Sequence, residues 1–275
     1  MNTFRIAVCQ LKVGESKEEN IKNAVQKIEE ASQNGADLVV LPEIFNGPYS
    51  TKSFYNYAEE YPGKTSVAMM DVAKRCKIHL VAGSISEKEN EKLYNTSYFF
   101  NDKGELIGKH RKMHLFDIDI EDGQYFKESD SLTPGEEFSV FDTKFGKVGL
   151  GICFDIRFPE YFRLLSNMGS KLIILPAAFN MTTGPAHWEI SVRMRAIDNQ
   201  VYFVGACPAR NEDAEYISYA NSRISDPWGN IIAKAGNNEE IIYADIDLNK
   251  VDSLRKQLPL TSNLRKDLYE VKNKK

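Results

Sequence analysis

The chain has 275 residues, 42% hydrophobic and 27% charged, which suits a water-soluble globular protein large enough to bury a core without covalent staples. A net charge of −4 offers no basic footprint for nucleic acid, and no apolar run approaches the ~20 residues that span a bilayer, so neither nucleic acid nor membrane is expected as a partner. The N-terminal MNTFRIAVCQ lacks a basic segment followed by an apolar one. Cys9, Cys76, Cys153 and Cys207 lie far apart with no C-x-x-C, so reduced thiols and a cytoplasmic location are the expectation.

In chain order, Ile6, Ala7 and Val8 mark a buried first strand over 5–10. Ile21, Ala24, Val25, Ile28 and Ala31 recur at helical spacing over 17–34, with Gly35 as the stop. The apolar run DLVVL then reads as a buried strand that Pro42 ends, with Glu43 just beyond it. Strand, helix and strand in this order form a β-α-β unit, which implies parallel strands joined by a right-handed crossover. A helix over 65–77 and a strand over 78–84 follow, and 94–100 pairs with 105–110 as a hairpin across Asn101-Asp102-Lys103-Gly104. Lys112 leaves that hairpin for a polar, acidic stretch over 117–130, read as a long loop of the kind that covers or shapes a site.

A second β-α-β unit comprises a strand over 147–152, a helix over 160–168 and a strand over 171–175 ended by Pro176. A helix over 185–198 carrying Trp188, Val192 and Ile197 precedes a strand over 201–207. A hairpin of 222–225 with 231–234, a last strand over 241–246, a charged helix and a tail from about 260 complete the chain. No linker divides it, so residues 1–275 read as one domain. DLVVLPEIFN and KLIILPAAFN match closely enough to suggest an internal duplication, with Glu43 opposite Ala177. On this comparison the leading strand of each unit ends at Cys9 in one copy and at Cys153 in the other.

Cys153 follows a strand flexed by Gly149 and Gly151 and stands near a helix N-terminus, whose unpaired N–H groups would lower a thiol pKa. Taken singly, Cys153 reads as packing, Glu43 as a helix cap and Lys112 as one lysine of a solvated face. Their joint placement argues otherwise, because parallel α/β architecture gathers chemistry at the carboxyl ends of its strands. Glu43 would then take the thiol proton as general base, while Lys112 and the backbone N–H of Phe154 hold the oxyanion of a tetrahedral intermediate. His110 and His114 are spaced by four without a third ligand, so no metal site is expected. Cys9, Cys76 and Cys207 read as core, and Trp188 beside His187 as helix packing or pocket lining.

LPEIFN around Glu43, GKHRKMHLFD around Lys112 and GICFDIRFPE around Cys153 occur in an order that resembles the nitrilase superfamily of carbon-nitrogen hydrolases, over residues 5–269. The resemblance implies an α/β fold built as a four-layer α-β-β-α sandwich, two β-sheets with helices outside. It also implies a catalytic Glu43-Lys112-Cys153 set, no cofactor, and a homodimer or larger assembly. A second family glutamate matches Glu128 in YFKESD, where it would keep Lys112 charged and assist proton transfer. The implied reaction attacks a small-molecule amide, passes through a thioester with loss of ammonia, and ends in hydrolysis.

KMHLFDIDI, FKESDSLTPG, FNMTTGPAHWE, RAIDNQVYF, ARNED and DPWGNIIAKAG are most similar, within the superfamily, to the omega-amidases, which act on the distal amide of 2-oxoglutaramate and 2-oxosuccinamate. Such a substrate carries a carboxylate that needs a cation or converging donors. Arg157, Thr183 and the phenol of Tyr49 are the candidates; Arg157 equally suits an ion pair with Asp155 or Glu160, and for Tyr49 and Thr183 loop packing is the favoured reading. Deaminated glutathione amidase or N-carbamoyl hydrolase activity remains the enzymatic alternative. A non-catalytic binding or scaffold protein, or a redox-sensing thiol protein, are the alternatives of other classes.

Overall fold

Alternation of apolar residues dictates how the first strand divides its side chains: in β1 (Thr3–Gln10), Ile6 and Val8 point to one face and Ala7 and Cys9 to the other. The computed structural model describes residues 3–121 and 125–274. Helix α1 (Lys17–Gln33) starts where the Ser16 hydroxyl accepts the Glu19 N–H, and leads to β2 (Leu38–Val40), parallel to β1. Then come α2 (Thr51–Asn56), α3 (Lys64–Cys76), β3 (His79–Val81), β4 (Ile85–Glu89), β5 (Lys92–Phe100) and β6 (Leu106–Arg111). These strands form a sheet in the order β15-β1-β2-β3-β5-β4, with β6 on β5, where β15 is Glu240–Asp247.

After the ribbon β7 (Asp117–Asp119) and β8 (Tyr125–Lys127), the second sheet begins with β9 (Ser139–Thr143) and β10 (Gly146–Leu150). It continues through α4 (Pro159–Asn167), β11 (Leu172–Pro176), α5 (Gly184–Asn199), β12 (Tyr202–Ala206), β13 (Arg223–Ser225) and β14 (Ile231–Lys234). The strand order is β14-β13-β12-β11-β10-β9, with β10, β11 and β12 parallel. Helix α6 (Asn249–Gln257) follows β15. Among the described residues no helix is long and apolar enough to cross a membrane.

Three apolar layers separate these elements. Ile6, Val8, Leu38 and Val40 of one sheet pack against Val148, Leu150, Leu172 and Ile174 of the other. Helices α1 and α3 cover Ala7, Val39 and Leu80, and α4 and α5 cover Ile173, Leu175 and Phe203. The result is the expected α-β-β-α sandwich, each sheet buried on both faces as parallel strands require.

Several local expectations change. Val8 stands opposite Val40 and Leu150 opposite Ile174, so the register makes Cys9 the equivalent of Gly151 and places Leu11, not Cys9, at the equivalent of Cys153. Residues 117–130 are not a bare loop, since β7 and β8 pair and Glu128–Asp130 makes a 3-10 turn; residues 122–124 of this stretch lie outside the described residues. Strand β4 escaped reading because Glu87, in its middle, is buried among Lys109, Arg111 and Thr96 and so breaks the apolar pattern.

Candidate active site

Four chain exits converge where the two sheets meet. Beyond β2, Glu43 is followed by Ile44 at φ +47, a conformation β-branched residues avoid. Gly83, at φ +50, lies beneath this turn, where a Cβ would stand 2.0 Å from the Pro42 carbonyl oxygen. Beyond β6, the Lys112 N–H donates to the Asn95 carbonyl at 2.8 Å. Beyond β10, Cys153 takes φ +42 and opens a 3-10 turn, Cys153–Arg157. Beyond β8, the Glu128 N–H donates to the Phe116 carbonyl at 3.2 Å. Two left-handed non-glycine residues at two of these exits are strain that the surroundings must over-determine.

Lys112, Glu43 and Glu128 are essentially removed from solvent. Lys112 Nζ donates to Glu43 Oε1 and Glu128 Oε1, each at 2.9 Å. Asn95 Nδ2 donates to Glu43 Oε1 at 2.8 Å, and the Phe116 N–H to Glu128 Oε2 at 2.7 Å. Tyr49 donates its phenol to Glu128 Oε1 at 2.7 Å. Glu43 Oε2 is buried without a nitrogen or oxygen donor, and the carboxylate's further partner is the Cys153 side chain. The Ala178 backbone also hydrogen-bonds Cys153.

Burial raises the Cys153 thiol well above its ordinary value, and the Glu43 charge adds to the rise; Lys112 and the Ala178 backbone oppose it. The expected lowering by a helix N-terminus is therefore reversed, because full desolvation outweighs the few N–H groups of a one-turn helix. Burial likewise raises Glu43 against the pull of Lys112. Desolvation acts to lower Lys112, but Glu128 and Glu43 overcome it and hold the amine protonated. In the resting site burial thus favours the neutral thiol and raises the basicity of Glu43 beside a Lys112 held as a cation.

The remaining candidates separate. Arg157 makes no ion pair with Asp155 or Glu160: Nη1 lies 2.9 Å from His187 Nδ1, and the guanidinium faces the rings of Phe179 and Phe154 at 5.3 and 6.0 Å. It is close enough to Cys153 for the two to interact electrostatically. Thr183, at the start of α5, donates its hydroxyl to Asn180 Oδ1 at 2.9 Å and so presents an acceptor in this rotamer. Tyr49 belongs to the charged cluster. The Phe154 ring packs edge-on against Phe116 and Phe158. His110 and His114 both turn to Asp155, and among the described residues no group of His, Cys, Asp or Glu is arranged to hold a metal.

A cavity of about 490 Å³ opens onto Glu43, Tyr49, Ala178 and Tyr216. Tyr216 and Asn95 went unnoticed in the sequence. Tyr216 donates to the Ala178 carbonyl at 2.6 Å and packs 4.6 Å from the Tyr49 ring, a contact between loops 167 residues apart that no local pattern announces. Asn95 lies with Thr96 and Ser97 in a run of buried polar residues within β5, which was a readable signal.

A four-layer sandwich with a thiol, two carboxylates and an ammonium buried at its rim is the arrangement of a hydrolase of carbon-nitrogen bonds, and the carbon-nitrogen hydrolase family model matches residues 5–256. The chain belongs to that family. It is 51% identical over 275 residues, covering all of both chains, to Omega-amidase NIT2 of Bos taurus, and equally so to Omega-amidase NIT2 of Xenopus tropicalis. The crystal structure of Saccharomyces cerevisiae Nit3, a member of branch 10 of the nitrilase superfamily, matches with a TM-score of 0.88 at 43% identity, over 96% of this chain and 97% of that one.

Proposed function

We propose that this protein is an omega-amidase that hydrolyses the distal amide of 2-oxoglutaramate or 2-oxosuccinamate through a Cys153 thioester. The carrying observation is the buried Glu43-Lys112-Glu128 cluster in contact with Cys153, with Arg157 free of any carboxylate partner among the described residues. Full-length relatives named as omega-amidases support the substrate class.

In this mechanism the neutral thiol attacks the amide carbonyl as its proton passes to Glu43. Proton transfer at the moment of attack suits a thiol whose pKa burial has raised, since a free thiolate there would be costly. The developing oxyanion is held by the Lys112 ammonium and the Phe154 N–H. Glu43 returns the proton to the leaving amine, ammonia departs, and the C–N bond has been exchanged for a thioester. Glu43 next takes a proton from water, which attacks the thioester carbonyl, and collapse of the second intermediate restores the thiol. Glu128 keeps Lys112 protonated and aimed, with Tyr49 braced against it. Arg157 receives the substrate carboxylate; Thr183 assists once its hydroxyl rotates away from Asn180.

The reading takes residues 1–275 as a single catalytic domain, supported by the pairing of β15 with β1 across the length of the chain. It requires no cofactor. A homodimer is proposed from exposed Ile190 and Met194 on α5 and Trp228 and Ile232 on the neighbouring hairpin. A cytoplasmic location is supported by four free cysteines. The decisive assay is ammonia release from 2-oxoglutaramate beside a deaminated-glutathione and N-carbamoyl panel. Wild type is expected to prefer the keto-amide, and Cys153→Ala to retain the fold with no turnover; negligible release from the keto-amide sinks the assignment.

A further inference from the structure

Asp155 is fully buried two residues beyond Cys153 and takes part in no step of the reaction above. Its oxygens collect four donors. Oδ2 accepts the Ile152 N–H at 2.8 Å and faces His110 Nε2 at 3.0 Å, while Oδ1 accepts the His114 N–H at 3.0 Å and faces His114 Nδ1 at 2.7 Å. The locations of those donors carry the argument. Ile152 immediately precedes the nucleophile, and His110 and His114 flank Lys112 by two residues on either side.

Lys112 leaves β6 of the first sheet and Cys153 leaves β10 of the second. Between the sheets lies a packed apolar layer, whose non-directional attraction holds them together but does not aim a polar side chain at either exit. A carboxylate gripping both exits adds that directional tie at the site, since hydrogen bonds to an ionised acceptor are short and directional. The donors are themselves held. His110 Nδ1 lies 2.8 Å from Ser139 Oγ on β9, and the His114 ring stacks on Phe158 at 3.7 Å and 12°. The Ile152 bond also braces the left-handed backbone of Cys153. The carboxyl is held well below its usual range: desolvation opposes this, and the bonds from His110, His114 and Ile152 outweigh it, so the clamp stays charged.

We infer that Asp155 is a positioning residue that sets the place of the Cys153 sulfur relative to the Lys112 ammonium by tying both sheet exits to one carboxylate. The inference rests on the roles proposed above for Cys153 and Lys112. It is tested on the full chain by turnover of 2-oxoglutaramate and, independently of any substrate, by the rate at which iodoacetamide modifies Cys153, followed by mass of the modified peptide. Asp155→Asn keeps the shape and removes the charge; kcat is expected to fall about 10²-fold with KM within about threefold, and alkylation to slow in parallel. His114→Ala removes one donor and should lose about tenfold in both rates, while His114→Asn, whose amide nitrogen stands near the place of Nδ1, should recover most of it. A variant with a lowered thermal midpoint but unchanged kcat and alkylation per folded molecule overturns the inference. Should Asp155→Asn fail to fold, the His114 pair decides, and His114→Ala within twofold of wild type, or no recovery in His114→Asn, overturns it. Absence of keto-amide turnover in wild type removes the substrate assignment alone, because the alkylation rates still test the clamp.

Discussion

Among the described residues Lys112 carries a burden no other side chain shares: it is the counter-charge for two fully buried carboxylates and, in the proposed mechanism, the cation offered to the oxyanion. Replacing it by alanine leaves Glu43 and Glu128 facing each other without compensation. Such a loss is expected to destabilise the protein by about 3–5 kcal/mol, read as a lowered thermal midpoint, and to abolish turnover in the fraction that folds. A midpoint equal to that of wild type would show that the carboxylates do not depend on the amine. The pH profile follows from the same cluster. Glu43 acts in its ionised form and its pKa is raised above the ordinary 4.5, so kcat/KM is expected to fall on the acid side through a limb lying above pH 4.5. Lys112 is raised above 10.5, so its deprotonation contributes no basic limb below that pH. An acid limb at or below 4.5 would contradict Glu43 as the base.

At the scale of elements, catalysis depends on short turns that end strands abruptly. The turn after β2 is the most exacting, because Ile44 is left-handed and Gly83 passes under the Pro42 carbonyl with no room for a side chain. Gly83→Ala combines that clash with an unfavourable positive φ and is expected to cost about 2–4 kcal/mol. Since the displaced carbonyl belongs to the residue before Glu43, kcat should drop at least tenfold, of the order expected for a small misplacement. A variant with wild-type stability and kcat would show that the loop yields more easily than its contacts suggest. The β7–β8 ribbon illustrates the same economy of design, ending where Glu128 must enter the cluster.

For the whole molecule, the joining of two β-α-β units into one rim is what places groups from four exits together. Ile190 on α5, 64% exposed, and Trp228 in the turn of the β13–β14 hairpin, 63% exposed, are the apolar side chains on which the proposed dimer chiefly rests. The double change Ile190→Glu and Trp228→Glu is expected to shift the protein from dimer to monomer in sedimentation velocity with its fold intact. A wild-type protein already monomeric at micromolar concentration would remove the dimer from the proposal.

The sequence alone carried the β-α-β units, because apolar runs such as DLVVL and KLIIL and the helical spacing of Ile21, Ala24 and Ile28 are local signals. It also placed Glu43, Lys112 and Cys153 just past strand ends, and a family resemblance added Glu128. Strand register lay beyond its reach, and with it the equivalence of Cys153 to Leu11 rather than to Cys9, since sliding a strand changes no local pattern. Charge state was likewise decided in three dimensions: the same thiol that a helix N-terminus would acidify is pushed the other way by burial and Glu43. Asp155, Asn95 and Tyr216 took their places only when distant segments met, because a polar side chain acquires a role from the donors and acceptors that folding brings to it.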